Sequence, residues 1–99
     1  MVKLVVCYGA PEDPAAFDRY YAETHVPLVH KIPNLRRFEA GKVLGTPDGS
    51  TAPYYYIADL SFDTVEDLQA AMGSREGQAA GDDVAKFASG GATLMIVES

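Results

Sequence analysis

The residue types best suited to chemistry are one histidine and several tyrosines. His25 lies close to Tyr20 and Tyr21 in the chain, and Tyr8 and Tyr55 lie in apolar runs. An imidazole with a pKa of about 6.5 gains or loses a proton near neutral pH, and a tyrosine hydroxyl can hold a carbonyl or enolate oxygen. We therefore expect His25 to be a general acid or base, with Tyr8, Tyr21 or Tyr55 binding a substrate oxygen.

The same residues also have a purely structural interpretation. His25 could hydrogen-bond a helix carbonyl that Pro27 leaves without a partner. The tyrosines could fill volume in the core or in an interface. The residues alone leave both interpretations open.

Asp59 is the carboxylate most suited to the same site, because it lies in the middle of an apolar strand pattern. A charge covered on both sides needs a partner. We expect Asp59 to orient a histidine or to bind a donor on a ligand. The alternative is a cross-strand or intersubunit ion pair with Arg36, Arg37 or Lys42.

The composition narrows the possible partners. The chain has 99 residues, which is enough for one domain over residues 1–99 with one hydrophobic core. Its formal net charge of −6 disfavours nucleic acid, whose phosphates repel an acidic surface. Cys7 is the only cysteine, which excludes an internal disulfide. We expect a cytoplasmic protein with no targeting segment and no association with a membrane.

Known cofactor motifs are missing from the sequence. It has no phosphate-binding glycine loop, no zinc-type spacing of cysteines and histidines, and no GxSxG motif. A nucleotide-dependent catalyst is therefore disfavoured. We expect the site to work with no metal, haem or other cofactor.

The segment around His25 has the pattern of an amphipathic helix that is deformed near its middle. Asp13 followed by Pro14 is typical of a helix start. At about 100° per residue, one face collects five side chains: Phe17, Tyr21, His25, Leu28 and Ile32. Pro27 removes a helical hydrogen bond, so we expect a kink or a restart just after His25.

The order of elements predicts an α+β fold of the ferredoxin-like kind. Strand patterns cover residues 2–8, 35–44, 54–62 and 93–97, with one helical segment after the first strand and an interrupted one after the third. This βαββαβ order gives a four-stranded antiparallel sheet with both helical segments on one face. The strands carry apolar residues on both faces, so we expect a homodimer to cover the open face.

The sequence also resembles the EthD family. The residues that carry the resemblance are Tyr8, Pro11, Phe17, Tyr20, Tyr21, His25, Pro27, Leu28, Ile32, Pro33 and Leu35, then residues 58–63, Asp83 and Phe87. The resemblance implies a dimeric α+β barrel, and His25 stands at the histidine of the family motif. The family is named for its association with ethyl tert-butyl ether degradation beside an oxidative system.

Related dimeric barrels include cofactor-free monooxygenases, polyketide cyclases and haem-binding enzymes, so the fold is a weak guide to the reaction. We expect the protein to bind or transform an apolar small molecule, aromatic or polyketide-like, by acid–base chemistry at His25. Such a protein would assist an oxidative degradation or a biosynthetic pathway. The alternatives are a non-catalytic dimer that carries a ligand or is purely structural, and a haem-dependent or cofactor-free monooxygenase.

Overall fold

The computed structural model describes residues 1–99 and confirms the predicted ferredoxin-like fold. Its elements in chain order are β1 (Val2–Tyr8), α1 (Pro14–Tyr20), a π-helical turn (Tyr21–His25), α2 (Val26–Val29), β2 (Arg37–Lys42), β3 (Tyr56–Phe62), α3 (Val65–Gly73), α4 (Arg75–Phe87) and β4 (Ala92–Glu98). The four strands form one antiparallel sheet in the order β2-β3-β1-β4. No helix is long and apolar enough to span a lipid bilayer.

The two faces of the sheet differ in how they are covered. Leu4 and Val6 of β1 pair with Leu60 and Ala58 of β3, and all four side chains are buried beneath the helices. Val5 lies between them and points to the opposite face, because successive side chains alternate along a strand. On that open face Met95 of β4 pairs with Val5 and remains 44% exposed. One protomer therefore leaves apolar sheet surface uncovered.

The hairpin strands are shorter than predicted. The pattern predicts β2 over residues 35–44 and β3 over residues 54–62, but the ladder runs from Arg37 to Lys42 and from Tyr56 to Phe62. Beyond Lys42, a single bond from Val43 N–H to the Tyr55 carbonyl continues the pairing, while Tyr55 N–H turns towards the Tyr8 carbonyl. Leu44 is consequently 96% exposed and takes no part in the strand.

The helix around His25 is deformed, as Pro27 predicts, and regular α-helix restarts at Val26, just after His25. A π-turn covers Tyr21–His25, and its last bond runs from Val26 N–H to the Tyr21 carbonyl, five residues back. The wider turn shifts the buried position that follows His25. Val29 is 3% exposed and replaces the predicted Leu28, which is only partly buried.

The position of α4 depends on a close approach to α3. A Cβ at Gly77 would collide with the backbone of Ala71 and Met72. Only glycine allows the two helices to come this close, because it has no side chain. The contact orients α4 so that Ala80, Asp83 and Phe87 form its buried stripe.

Candidate acid–base site at His25

His25, Asp83 and Tyr20 form one hydrogen-bonded group between α4 and the first helical segment. His25 Nδ1–H donates to Asp83 Oδ2 at 3.0 Å, and the Tyr20 hydroxyl donates to Asp83 Oδ1 at 2.6 Å. His25 and Asp83 are each only 4% exposed. A buried carboxylate is costly unless it is paired, and each oxygen of Asp83 has a donor here.

The π-turn is what allows Tyr20 and His25 to reach the same carboxylate. Five residues of a regular α-helix rotate a side chain by about 140° beyond a full turn, which would point the two residues apart. A turn closed by bonds between residues five apart brings them back to one side. The local distortion therefore has a direct role in building the site.

The hydrogen bond to Asp83 decides which imidazole nitrogen is left for chemistry. Because the carboxylate only accepts, Nδ1 carries the proton and Nε2 of the neutral ring is a free acceptor. Nε2 makes no hydrogen bond within the protein. Every fully buried side-chain nitrogen in this structure has a hydrogen-bond partner, so Nε2 is not fully buried. Nε2 therefore remains accessible, and the imidazole lines an apolar cavity.

Burial lowers the pKa of His25 below its ordinary value, and the hydrogen bond and negative charge of Asp83 offset part of this effect. Desolvation disfavours the imidazolium, whereas a neighbouring carboxylate favours it. Desolvation is the larger effect here. His25 is consequently neutral at pH 7 and able to accept a proton.

Aromatic rings surround the imidazole. The ring centroid of Phe87 lies 4.7 Å from that of His25, and the Tyr21 centroid lies 5.3 Å away. Burial raises the pKa of Tyr8 to about 12, and burial raises the pKa of Tyr21 as well. Both hydroxyls therefore keep their protons at neutral pH and can donate hydrogen bonds.

The cavity beside His25 lies between the sheet and the helices. Its volume is about 40 Å³, and its walls include Leu4, Leu60, Val29 and Val84. That is space for a few water molecules and less than the cavity of about 150 Å³ that accepts benzene in another protein. The wall also includes the exposed residues Gly81 and Leu94, so the cavity reaches the protein surface.

The structure brings together some of the predicted site residues but not all of them. Tyr8 and Tyr21 line the same cavity as His25. Tyr55 does not line it, and its hydroxyl donates instead to Asp18 Oδ1 at 2.8 Å.

Asp59 is also separate from this group, because strand alternation turns it to the open face of the sheet. Lys3 Nζ lies 3.8 Å from Asp59 Oδ2. Within the protomer this replaces the alternative pairs with Arg36, Arg37 or Lys42. Those three cations lie beside other carboxylates, namely Asp63, Glu39 and Asp18.

Comparison with known proteins places the chain in a family. The model of the EthD domain matches residues 10–91, which is most of the chain. The chain belongs to the EthD family. The resemblance seen in the sequence, which starts from the tyrosine, histidine and proline residues of the first helix, is therefore confirmed.

Two relatives are 44% identical to this EthD protein. One is described as an uncharacterized 11.0 kDa protein in the thcB-thcC intergenic region of Rhodococcus erythropolis; the alignment covers 99% of this chain and 94% of the relative. The other is the crystal structure of an EthD family protein from Bacillus halodurans C-125, which superposes with a TM-score of 0.94 over 100% of this chain and 98% of that chain.

A more distant structure shares the fold. It is described as a dimeric ferredoxin-like protein of unknown function from Jannaschia sp. CCS1. It is 23% identical, with a TM-score of 0.75 over 99% of this chain and 98% of that chain. At this level of identity the likeness shows the fold alone.

Asp83 is the main residue of the EthD site that the chemical interpretation of the sequence missed. It belongs to the residues that carry the family resemblance, but its place in the sequence assigns it no chemical role. A signal was present, because Asp83 interrupts a stripe otherwise made of Ala80 and Phe87 on a helix that buries this face. A lone carboxylate in an apolar stripe indicates a buried partner.

The site offers few groups for a metal ion. No three histidine, cysteine, aspartate or glutamate side chains lie close enough to hold one together. His25 and Asp83 are the two ligand-type side chains of the EthD site, and they bond to each other. The absence of a cofactor stays a prediction.

The lowered pKa of His25 predicts how the stability of this EthD protein depends on pH. The unfolded chain takes up a proton on His25 at a pH of about 6.5, but the folded chain takes it up only at lower pH, so the free energy of unfolding falls as pH decreases below about 6.5. The loss is about 1.4 kcal/mol for each unit by which the pKa is depressed. Urea unfolding between about pH 7 and pH 5 measures it at a fixed protein concentration.

His25→Gln should remove this dependence, whereas His30→Gln should keep it because His30 lies on the surface. If the free energy of unfolding changed equally with pH in the wild type and in His25→Gln, the lowered pKa of His25 would be contradicted.

Proposed function

We propose that this EthD protein catalyses proton transfer on an apolar small molecule that carries a carbonyl group, with His25 as the general base and acid. The observation that carries the proposal is the buried hydrogen bond between His25 and Asp83 beside an apolar cavity. A neutral imidazole with an accessible Nε2 is suited to accept a proton from carbon. Aromatic and polyketide-like molecules belong to this class of substrate.

The proposed step uses three groups. His25 Nε2 removes a proton from the carbon next to the carbonyl, and the electron pair of the C–H bond moves into the enolate. The hydroxyl of Tyr8 or Tyr21 donates a hydrogen bond to the enolate oxygen, where negative charge develops. Asp83 stabilises the imidazolium that forms. The proton on Nε2 then exchanges with solvent, and a solvent-derived proton is donated to the enolate at carbon, which gives the isotopically exchanged ketone, or at oxygen, which gives the enol tautomer.

The size of the cavity sets a condition on the ligand. A space of about 40 Å³ holds the reacting end of a molecule but not a complete aromatic ring system. The remainder of the ligand would extend past Leu94, which is 52% exposed at the edge strand β4. Leu94 and Ile96 offer apolar surface on the helix side of this edge.

Exchange of carbon-bound hydrogen for deuterium tests this activity directly. Acetophenone, benzoylacetone and longer apolar ketones in deuterated water should exchange the protons next to the carbonyl faster with the protein than in buffer. His25→Gln should lower the rate by about 100-fold or more, because it removes the base.

His30→Gln is the matched control for this experiment and should leave the rate unchanged. No acceleration by the wild type with any of these ketones, or full activity in His25→Gln, would contradict the proposal.

A second candidate is a non-catalytic protein that carries an apolar ligand on the exposed apolar surface of Leu94 and Ile96 rather than in the small cavity. In this case His25 and Asp83 would serve as a buried structural pair. Ligand binding that is retained in His25→Gln, without any exchange activity, would favour the carrier. Either protein would be cytoplasmic, where the unpaired Cys7 stays reduced.

We also propose that the functional unit is a homodimer joined through the open face of the sheet. Met95 and Val97 of β4 point to this face and are 44% and 39% exposed, and Val5 lies beside Met95. A second copy would cover this apolar surface. The Jannaschia protein of the same fold, which is described as dimeric, supports the proposal.

Met95→Glu tests the interface because it would place a charge on the apolar face near Asp59. The wild type should sediment at micromolar concentration with twice the chain mass of 10.6 kDa, and Met95→Glu should sediment as a monomer. Leu44→Glu is the control, because Leu44 is 96% exposed in a loop away from the sheet. A monomeric wild type, or a dimer that tolerates Met95→Glu, would contradict the interface.

A further inference from the structure

Tyr20 differs from Tyr8 and Tyr21, which line the cavity beside His25, because its hydroxyl donates a hydrogen bond to the carboxylate of Asp83. The Tyr20 hydroxyl donates to Asp83 Oδ1, while His25 donates to Asp83 Oδ2. The carboxylate is thus held from both sides, by Tyr20 at the end of α1 and by His25 at the end of the π-turn. Tyr20 itself does not line the cavity beside His25.

The carboxylate of Asp83 forms no ion pair with a lysine or an arginine. Lys and Arg side chains form ion pairs elsewhere, and the only ion pair that includes Asp83 is the one with His25. Because His25 is neutral at pH 7, the buried anion depends on two hydrogen-bond donors, His25 Nδ1–H and the Tyr20 hydroxyl. Hydrogen bonds to a charged group are among the stronger ones in proteins.

We propose that Tyr20 is a positioning residue for the proposed proton transfer: its hydroxyl holds the Asp83 carboxylate in place, so that the carboxylate fixes His25 with Nε2 free. This inference rests on the proposed function of His25 as a base. Tyr20 does not touch the substrate in this arrangement. It acts on the reaction through Asp83 alone.

Tyr20 also connects the buried site with a second cavity near the surface. That cavity has a volume of about 220 Å³ and lies between the start of α1 and the end of α4, with Tyr20, Phe17 and Phe87 in its wall. The Phe87 ring stacks on Tyr20 at 5.4 Å between centroids and contacts the His25 ring at 4.7 Å. The ring of Tyr20 is held by this stacking, so loss of the hydroxyl alone leaves the packing in place.

Few titratable groups influence the pair. Tyr20 comes from α1, Tyr21 from the π-turn and Tyr8 from β1, and the charge of Asp83 itself helps to raise the pKa of Tyr8. The hydrogen bond to Asp83 raises the pKa of Tyr20. All three tyrosines are therefore uncharged at neutral pH, and Asp83 is the only charged group acting on His25.

Tyr20→Phe removes the hydroxyl and keeps the ring. The buried anion then has one donor fewer, so proton uptake by the His25–Asp83 pair becomes more favourable. The NMR titration midpoint of the His25 ring should rise by about one pH unit. In the pH profile of the exchange rate, the fall in rate on the acid side should move to higher pH by the same amount.

Tyr55→Phe is the matched control, because Tyr55 also donates its hydroxyl to a carboxylate, Asp18, away from His25. This change should leave the midpoint of His25 unmoved. In an Asp83→Asn background, Tyr20→Phe should also cause no shift, because the anion through which it acts is gone.

The outcomes separate this inference from the proposed function. An unmoved midpoint in Tyr20→Phe, or an equal shift in the Asp83→Asn background, would overturn the role of Tyr20 and leave the exchange test of His25 as it stands. A shifted midpoint in a protein that never catalyses exchange would support the contact between Tyr20 and Asp83 but overturn the proposed function.

Discussion

A negative charge buried in an apolar interior is the constraint on which the site depends. Asp83 is 4% exposed, so water cannot solvate it, and its two oxygens must be met by donors from another element. Tyr20 and His25 are those donors. A hydrogen bond to such a charged group contributes about 1.5–3 kcal/mol, which is a large part of the stability of a small domain. The pairing therefore fixes α4 against the first helical segment.

The π-turn meets this constraint, and the rings of Phe87 and Tyr21 beside His25 prepare its imidazole to act as a base. The π-turn directs Tyr20 and His25 to one carboxylate, which a regular α-helix would not do. Phe87 and Tyr21 keep water from the imidazole, and the loss of solvation holds it neutral. The same burial that costs energy in folding leaves Nε2 ready to accept a proton, which is typical of a functional site.

Features of the site that depend on residues close together in the chain could be predicted from the sequence. The burial of His25 follows from the apolar spacing of its helix, and the deformation follows from Pro27. The role of Asp83 could not be predicted in this way, because 58 residues separate it from His25 and only the packing of α4 joins them. The sequence favours Asp59 instead, because it lies in an apolar strand. However, strand alternation places it opposite Leu60, on the face without helices.

The proposed proton transfer requires a neutral His25 whose proton lies on Nδ1. A two-dimensional NMR spectrum that correlates the ring protons with ¹⁵N-labelled histidine nitrogens at about pH 7 measures this directly, because protonated and unprotonated nitrogens have different shifts. We expect Nδ1 of His25 to be protonated and Nε2 to be unprotonated. A proton on Nε2 alone, or an imidazolium at this pH, would contradict it.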